Sequence, residues 1–174
     1  LISYLKQLGY RCICIHPHDA GFFLRDQFFD KLGFDEFIDE KLFENPERIG
    51  PYISDAEVCQ KIISTTLQQS DQPLFIFAIT MENHGPLHLE TVEKDEWKQY
   101  FEIKPEGKDD DLTVYLRHLK NADTMIEKLI NFYEQSERQA GLVFYGDHVP
   151  AISDTFNHYR YSDDRSNYFI WNNY

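Results

Sequence analysis

Basic residues are scarce in this chain: 17 Lys and Arg stand against 30 Asp and Glu, a net charge of −13. Such a surface repels nucleic acid and anionic membranes and argues against both as partners of this segment. Phosphate esters remain open, because a metal and a few cations can hold them. Long apolar runs are missing too. None approaches the roughly 18 residues that suggest a transmembrane helix, and no signal peptide is visible. Nothing assigns a compartment, and both a cytoplasmic and a membrane-anchored parent protein stay open. The three cysteines are too few for a disulfide framework. Cys12 and Cys14 alternate along a strand-like run and Cys59 sits in a helical one. Buried free thiols are the main reading, with metal ligation the lesser alternative. The chain has no GxSxG, P-loop, HExxH or zinc-type CxxC pair. It also lacks an initial Met. It opens on Leu-Ile-Ser already in helical rhythm and reads as the remainder of something longer.

Aromatics are abundant, with 14 Phe and 11 Tyr in 174 residues, and the chain is far too apolar for disorder. Its length suits one domain or most of one. Leu1, Leu5 and Leu8 mark a short helix ending at Gly9, and Tyr10–Ile15 reads as a strand. Ala20–Leu32 follows as a helix with a phenylalanine-rich face, stopped by Gly33, and Phe34–Ile38 as a short extended return. Residues Asp39–Tyr52 are charged and hold Pro46, Gly50 and Pro51, the marks of an exposed loop. Ser54 and Glu57 form a capping box, in which each side chain reaches the other's backbone amide. The helix they open runs to about Gln69 and buries Val58, Ile62, Ile63 and Leu67. Leu74–Ile79 is the strongest buried-strand signal. His88–Asp111 reads as a surface excursion or lid, and the apolar spacing from Leu112 to Tyr133 as a long amphipathic helix. Leu142–Tyr145 and Tyr168–Trp171 are short strands. There is no internal repeat. The alternation of helix and strand implies an α/β fold with a mostly parallel sheet and helices on both faces.

In such a sheet, ligand sites gather beyond the carboxyl ends of strands. The polar tips after Ile15, Ile79 and Tyr145 should therefore share one edge, and each carries a histidine. Asp147 and His148 supply one oxygen and one nitrogen for a divalent metal; a turn with a partly buried ring is the plainer alternative. His84 suits a third ligand or a hydrogen-bond donor to a substrate oxyanion, and beside it Gly85 and Pro86 permit close approach. His16 reads as a ligand-facing ring or a strand cap. Arg25 suits bidentate binding of phosphate or sulfate, or a surface pair with Asp26 or Asp30. His18 and His88 are weaker candidates. His118, beside Arg117 in mid-helix, reads as a solvent-face residue. Thr80 reads as a hydrogen-bonding cap rather than a nucleophile.

The run Tyr145–Gly146–Asp147–His148 resembles the GDH signature of the alkaline-phosphatase-like superfamily. That superfamily includes sulfatases, phosphoethanolamine transferases and lipoteichoic acid synthases. Asn83–His84–Gly85–Pro86 looks like the substrate-binding histidine loop of those transferases. Gly9–Tyr10 through His16, Arg25–Asp26, Gly33–Phe34–Asp35 and Phe37 are similar in order and spacing to the lipoteichoic acid synthase type. GDHVP followed by YFIWNNY looks most like sulfatase-type proteins of capsule and surface-polysaccharide clusters. The resemblance covers about residues 1–150 and continues through Tyr168–Trp171. It implies that residues 1–174 form the carboxy-terminal part of one alkaline-phosphatase-like domain lacking its first strand. The implied activity is metal-dependent phosphoryl-group transfer, of phosphoglycerol or phosphoethanolamine type, in surface or capsular polysaccharide biosynthesis. A sulfatase or phosphodiesterase hydrolase and a non-catalytic glycan-binding relic are the alternatives. Asp147 and His148 would be ligands to Mn²⁺ or Zn²⁺, with Mg²⁺ or Ca²⁺ as further options. His84, His16 and Arg25 would clamp a phosphate- or sulfate-ester head group on lipid or glycan. No residue here matches the family's nucleophile, which is expected upstream of Leu1, so the piece as given should be inactive and bind metal weakly. A missing first strand would leave a sheet edge open to self-association.

Overall fold

The computed structural model describes residues 1–68, 71–105 and 110–174, and the chain divides into two compact units, Leu1–Glu82 and Asn83–Tyr174. The first unit is built on a three-stranded parallel sheet. Its central strand β1 (Arg11–Ile15) lies between β2 (Glu36–Ile38) and β5 (Leu74–Ala78), with Ile13 in register with Glu36 on one side and Ile76 on the other. A central parallel strand is covered on both faces, which is why Cys12 through Ile15 are completely buried although the run alternates two residue types. Helix α1 (Ile2–Gln7) buries Ile2, and Gly9 (φ +84°) turns the chain into β1.

Leu74–Ala78 is less buried than its composition suggests. All five residues are only half-buried, because among the described residues β5 is an edge strand paired with β1 alone. The helix expected from Ala20 starts at Arg25. Phe23 and Leu24 adopt left-handed backbone (φ +56° and +53°) and end a single 3₁₀ turn, so α2 spans only Arg25–Leu32. Of its expected apolar face only Phe29 is buried; Phe22, Phe23, Phe28 and Leu32 are exposed. Gly33, at φ +89°, closes the helix as predicted. The segment read as a loop holds a small antiparallel hairpin, β3 (Arg48–Ile49) and β4 (Tyr52–Ile53), turned at Gly50–Pro51.

Helix α3 (Asp55–Gln68) keeps half of its expected capping box. The Glu57 amide donates to Ser54 Oγ (3.3 Å), but the Glu57 carboxylate accepts from the Glu47 amide instead of reaching back. The Ser54 amide it would have reached donates to the Glu47 carbonyl (3.0 Å), and the next amide, that of Asp55, donates to Glu82 Oε2 at 2.7 Å. A carboxylate at the first turn also meets the positive end of the helix dipole. Val58, Cys59 and Ile62 are buried, as are Thr65 and Thr66, while Leu67 is exposed, contrary to expectation. The predicted helix end at Gln69 lies outside the described residues, as does part of the excursion, 106–109.

All three cysteines are free and buried. Burial pushes the Cys14 thiol up to about 12, with the charge of Arg25 a smaller opposing influence. Cys12 is raised by burial and then by Asp35. A thiolate is the reactive form, so a thiol reagent at about pH 8 should label none of the three in the native chain and all three in denaturant. Labelling of one cysteine under native conditions would contradict this packing.

The second unit is organised on α4 (Asp110–Glu134), which buries Val114, His118, Ala122, Met125 and Leu129 along one helical face. Strand β6 (Gly141–Tyr145) pairs antiparallel with β7 (Tyr168–Asn172), with Val143 opposite Ile170, in a two-stranded sheet of its own. Leu142, Phe144, Phe169 and Trp171 share the covered face, where Phe144 stacks on Phe169 with centroids 5.7 Å apart. Asn173 ties the ladder to the end of α4: its Nδ2 donates to the Tyr133 and Arg138 carbonyls and its Oδ1 accepts from the Ala140 amide. A short helix, α5 (Ser153–Tyr159), lies between β6 and β7 in sequence.

Candidate functional site

In the first unit, the parallel ladder brings the tips of β1 and β5 to one edge. There the Ile79 amide donates to the Ile15 carbonyl, extending the pairing past the strand ends. His16 is fully buried at this edge. Its Nδ1 lies 3.0 Å from the Ile79 carbonyl, and its Nε2 meets Nη1 of Arg25. Two neutral-ring roles follow: Nδ1–H donates to the carbonyl, and Nε2 accepts from the guanidinium. His16 thus bridges the carbonyl just past the end of β5 and the guanidinium of Arg25. Arg25 also lies over the Phe22 ring, with Cζ 5.8 Å from the centroid. His18 stacks on His16 and tilts against Phe22, and its buried Nδ1 has no hydrogen-bond partner among the described residues. The left-handed pair Phe23–Leu24 is what sets Arg25 at the head of α2, pointing back to the β1 tip.

The remaining candidates belong to the second unit. His84 is exposed, and its Nδ1 lies 2.8 Å from the Gly85 carbonyl. A Cβ on Gly85 would meet only the Leu87 amide nitrogen at 3.8 Å, an ordinary contact, so the fold itself does not demand glycine there. His88 is exposed on the 3₁₀ turn Leu87–Leu89.

Gly146 follows β6 in a tighter setting. A Cβ would come within 3.2 Å of Ser166 Cβ, and the Gly146 amide and carbonyl are bracketed by the Asn167 carbonyl and Ser166 Oγ. Asp147 and His148 then project from the strand end with side chains 76% and 62% exposed. His148 repeats the His84 arrangement, its Nδ1 2.7 Å from the Val149 carbonyl. Donation from Nδ1–H leaves the Nε2 lone pair for a ligand, as in metal-bound histidines generally. Nε2 lies 3.8 Å from Asp147 Oδ1. Two ligands at about 2.1 Å from a tetrahedral ion are about 3.4 Å apart, so a small side-chain movement lets both reach one ion. The pair fits one nitrogen and one oxygen of a divalent-metal site. Among the described residues no group of three or more His, Cys, Asp or Glu is arranged to hold a metal.

His118 overturns its solvent-face assignment. It is completely buried, with Nε2 2.9 Å from Glu90 Oε1. Arg117 beside it binds Glu96 through Nε and Nη2 (2.7 and 2.8 Å), Glu90 through Nη1 (3.1 Å) and the Thr91 carbonyl (2.9 Å). The Arg117 guanidinium holds the Glu96 carboxyl below its usual range, and Glu96 raises Arg117 in return. The segment read as a surface excursion is thereby fastened to α4. Partners about 28 residues apart leave no local signal in the sequence.

The α/β fold is shared with a solved alkaline phosphatase superfamily protein from Vibrio parahaemolyticus, at 24% identity and a TM-score of 0.63, covering 84% of this chain and 35% of that one. The chain belongs to the sulfatase family, whose model matches residues 1–174. It is 31% identical over 172 residues to the capsular polysaccharide biosynthesis protein RkpI of Rhizobium meliloti, covering 95% of this chain and 28% of that protein. Among solved structures, Streptococcus pyogenes phosphoglycerol transferase GacH, in complex with sn-glycerol-1-phosphate, is 30% identical with a TM-score of 0.73, covering 95% of this chain and 44% of that one. The lipoteichoic acid synthase LtaP of Listeria monocytogenes is 26% identical with a TM-score of 0.75, covering 97% and 45%. The chain therefore spans less than half the length of each.

Proposed function

We propose that this chain carries part of the active site of a metal-dependent transferase that moves a phosphoglycerol- or phosphoethanolamine-type group in surface or capsular polysaccharide biosynthesis. The observation that carries the reading is the likeness to a phosphoglycerol transferase along 95% of the chain. The exposed Asp147–His148 pair at the end of β6 gives that likeness a chemical basis. A divalent ion such as Mn²⁺ or Zn²⁺ would be held by Asp147 and His148. When bound it supplies charge neutralisation and activation of a nucleophile. The chain's own residues bind and orient: Arg25, held by His16, offers a planar fork to a phosphate-ester oxygen, and His84 presents its ring to the same class of ligand. Residues 1–174 are read as the carboxy-terminal part of one domain, with the nucleophile elsewhere in the full-length protein. The half-exposed edge of β5 is available to another strand, including that of a second copy.

Hydrolysis of a similar sulfate or phosphate ester is the second reading, supported by the family itself. Isothermal titration of the full-length protein with Mn²⁺ tests the proposal. Binding should be saturable in the parent and weakened at least about tenfold in Asp147→Asn. The absence of metal-dependent heat in both would favour a non-catalytic glycan-binding domain.

A further inference from the structure

His84 and His148 are both exposed, and each ring lies against the carbonyl of the residue that follows it. The segments that carry them are anchored by buried neighbours. Leu87, three residues past His84, is 5% exposed; Ile152, four past His148, is 4% exposed; the two share one core cluster with Val114 of α4, which is fully buried. Phe156 of α5 and Leu112 and Tyr115 of α4 surround this small core. One helical turn beyond Val114, on the same face, His118 takes one oxygen of Glu90 and Arg117 the other. Glu90 closely follows the Leu87–Leu89 turn, so the loop carrying His84 is fastened twice, once by packing and once by charge.

We propose that α4 is a common post that sets the His84 loop and the Asp147–His148 tip relative to each other. Val114, Leu87 and Ile152 form the shared core, and Glu90, gripped by His118 and Arg117, is the clasp. These are positioning residues that touch no substrate. The proposal rests on reading His84 and Asp147–His148 as site residues. A leucine at position 118 would fill the same space, but a buried, directional polar contact admits one loop placement where an apolar contact admits several.

Hydrogen exchange in the full-length protein reads the post directly. Val114→Ala should raise exchange about tenfold or more at both 84–87 and 147–149, while amides near Met125 and Leu129 keep wild-type rates. A rise at one tip only, or a uniform rise through α4, overturns the shared post. Glu90→Gln should loosen 84–90 alone and lower kcat/KM toward an aryl phosphodiester about tenfold, yet change it less than about twofold in a His84→Ala background. Equal losses in both backgrounds overturn the positioning role, because a merely structural defect acts whether or not His84 is present. Arg117→Lys, which keeps the charge and loses the fork, is the second break of the clasp should Glu90→Gln fail to fold. If His84→Ala leaves kcat/KM unchanged, the site reading fails instead, and the exchange rates alone decide the post.

Discussion

Asp147→Asn in the full-length protein is expected to lower kcat/KM toward an aryl phosphodiester about a thousandfold. Asparagine keeps the shape of the side chain and removes the charge that would hold a cation. A bound metal contributes several kcal/mol of transition-state stabilisation, and each ~1.4 kcal/mol is tenfold in rate. The thermal midpoint should not move, because the Asp147 side chain is 76% exposed and the nearest His148 ring nitrogen is 3.8 Å away. Full activity in a folded Asp147→Asn variant would remove Asp147 from the site. The 174-residue chain alone, given Mn²⁺ or Zn²⁺, is expected to show no turnover, since Asp147 and His148 would by themselves make up only part of a ligand set. Turnover by this exact polypeptide would show that it holds a complete centre.

What could be read beforehand was whatever depends on neighbours along the chain. The strands β1, β5, β6 and β7, the long helix α4, the glycine stop at Gly33 and the Ser54 cap all announce themselves through short-range composition. The Asp147–His148 tip was legible because a strand, a glycine and two ligand-type residues are contiguous. Errors arose where a distant partner decides. Glu47 occupies both halves of the expected box, its carbonyl accepting from the Ser54 amide and its own amide donating to the Glu57 carboxylate, while Glu82, 27 residues from Asp55, takes the Asp55 amide. Glu90 draws His118 inward although Arg117 and Lys120 give that stretch the look of a solvent face. Phe23 and Leu24 take left-handed backbone that neither residue type favours, so the helix seemed to begin at Ala20. Nor does composition reveal that β5 is an edge strand, since an apolar run reads alike at the centre or the margin of a sheet.

Arg117→Met carries the largest expected loss of stability, about 3–5 kcal/mol, because it strands carboxylates that are nearly buried. The Glu90 and Glu96 side chains are only 8% and 9% exposed, and Arg117 is the cation bonded to both. Urea denaturation at several pH values distinguishes this from lost packing. Glu96 is held below its ordinary value of 4.5 chiefly by its hydrogen bonds to Arg117. A depressed carboxyl contributes stability above its unfolded pKa and loses it as pH falls through the lower, folded pKa. The gap between parent and variant should therefore be widest near neutral pH and shrink below about pH 4.5. A gap unchanged down to about pH 3 would make the loss one of packing alone. Arg165 supplies the control. It forms a comparable set of bonds to Asp163, with shifts in the same directions, but its side chain is 84% exposed. Water screens that pair and solvates either partner left alone, so Arg165→Met should leave the midpoint where it is. The contrast isolates burial, not bond count, as what makes the α4 clasp strong.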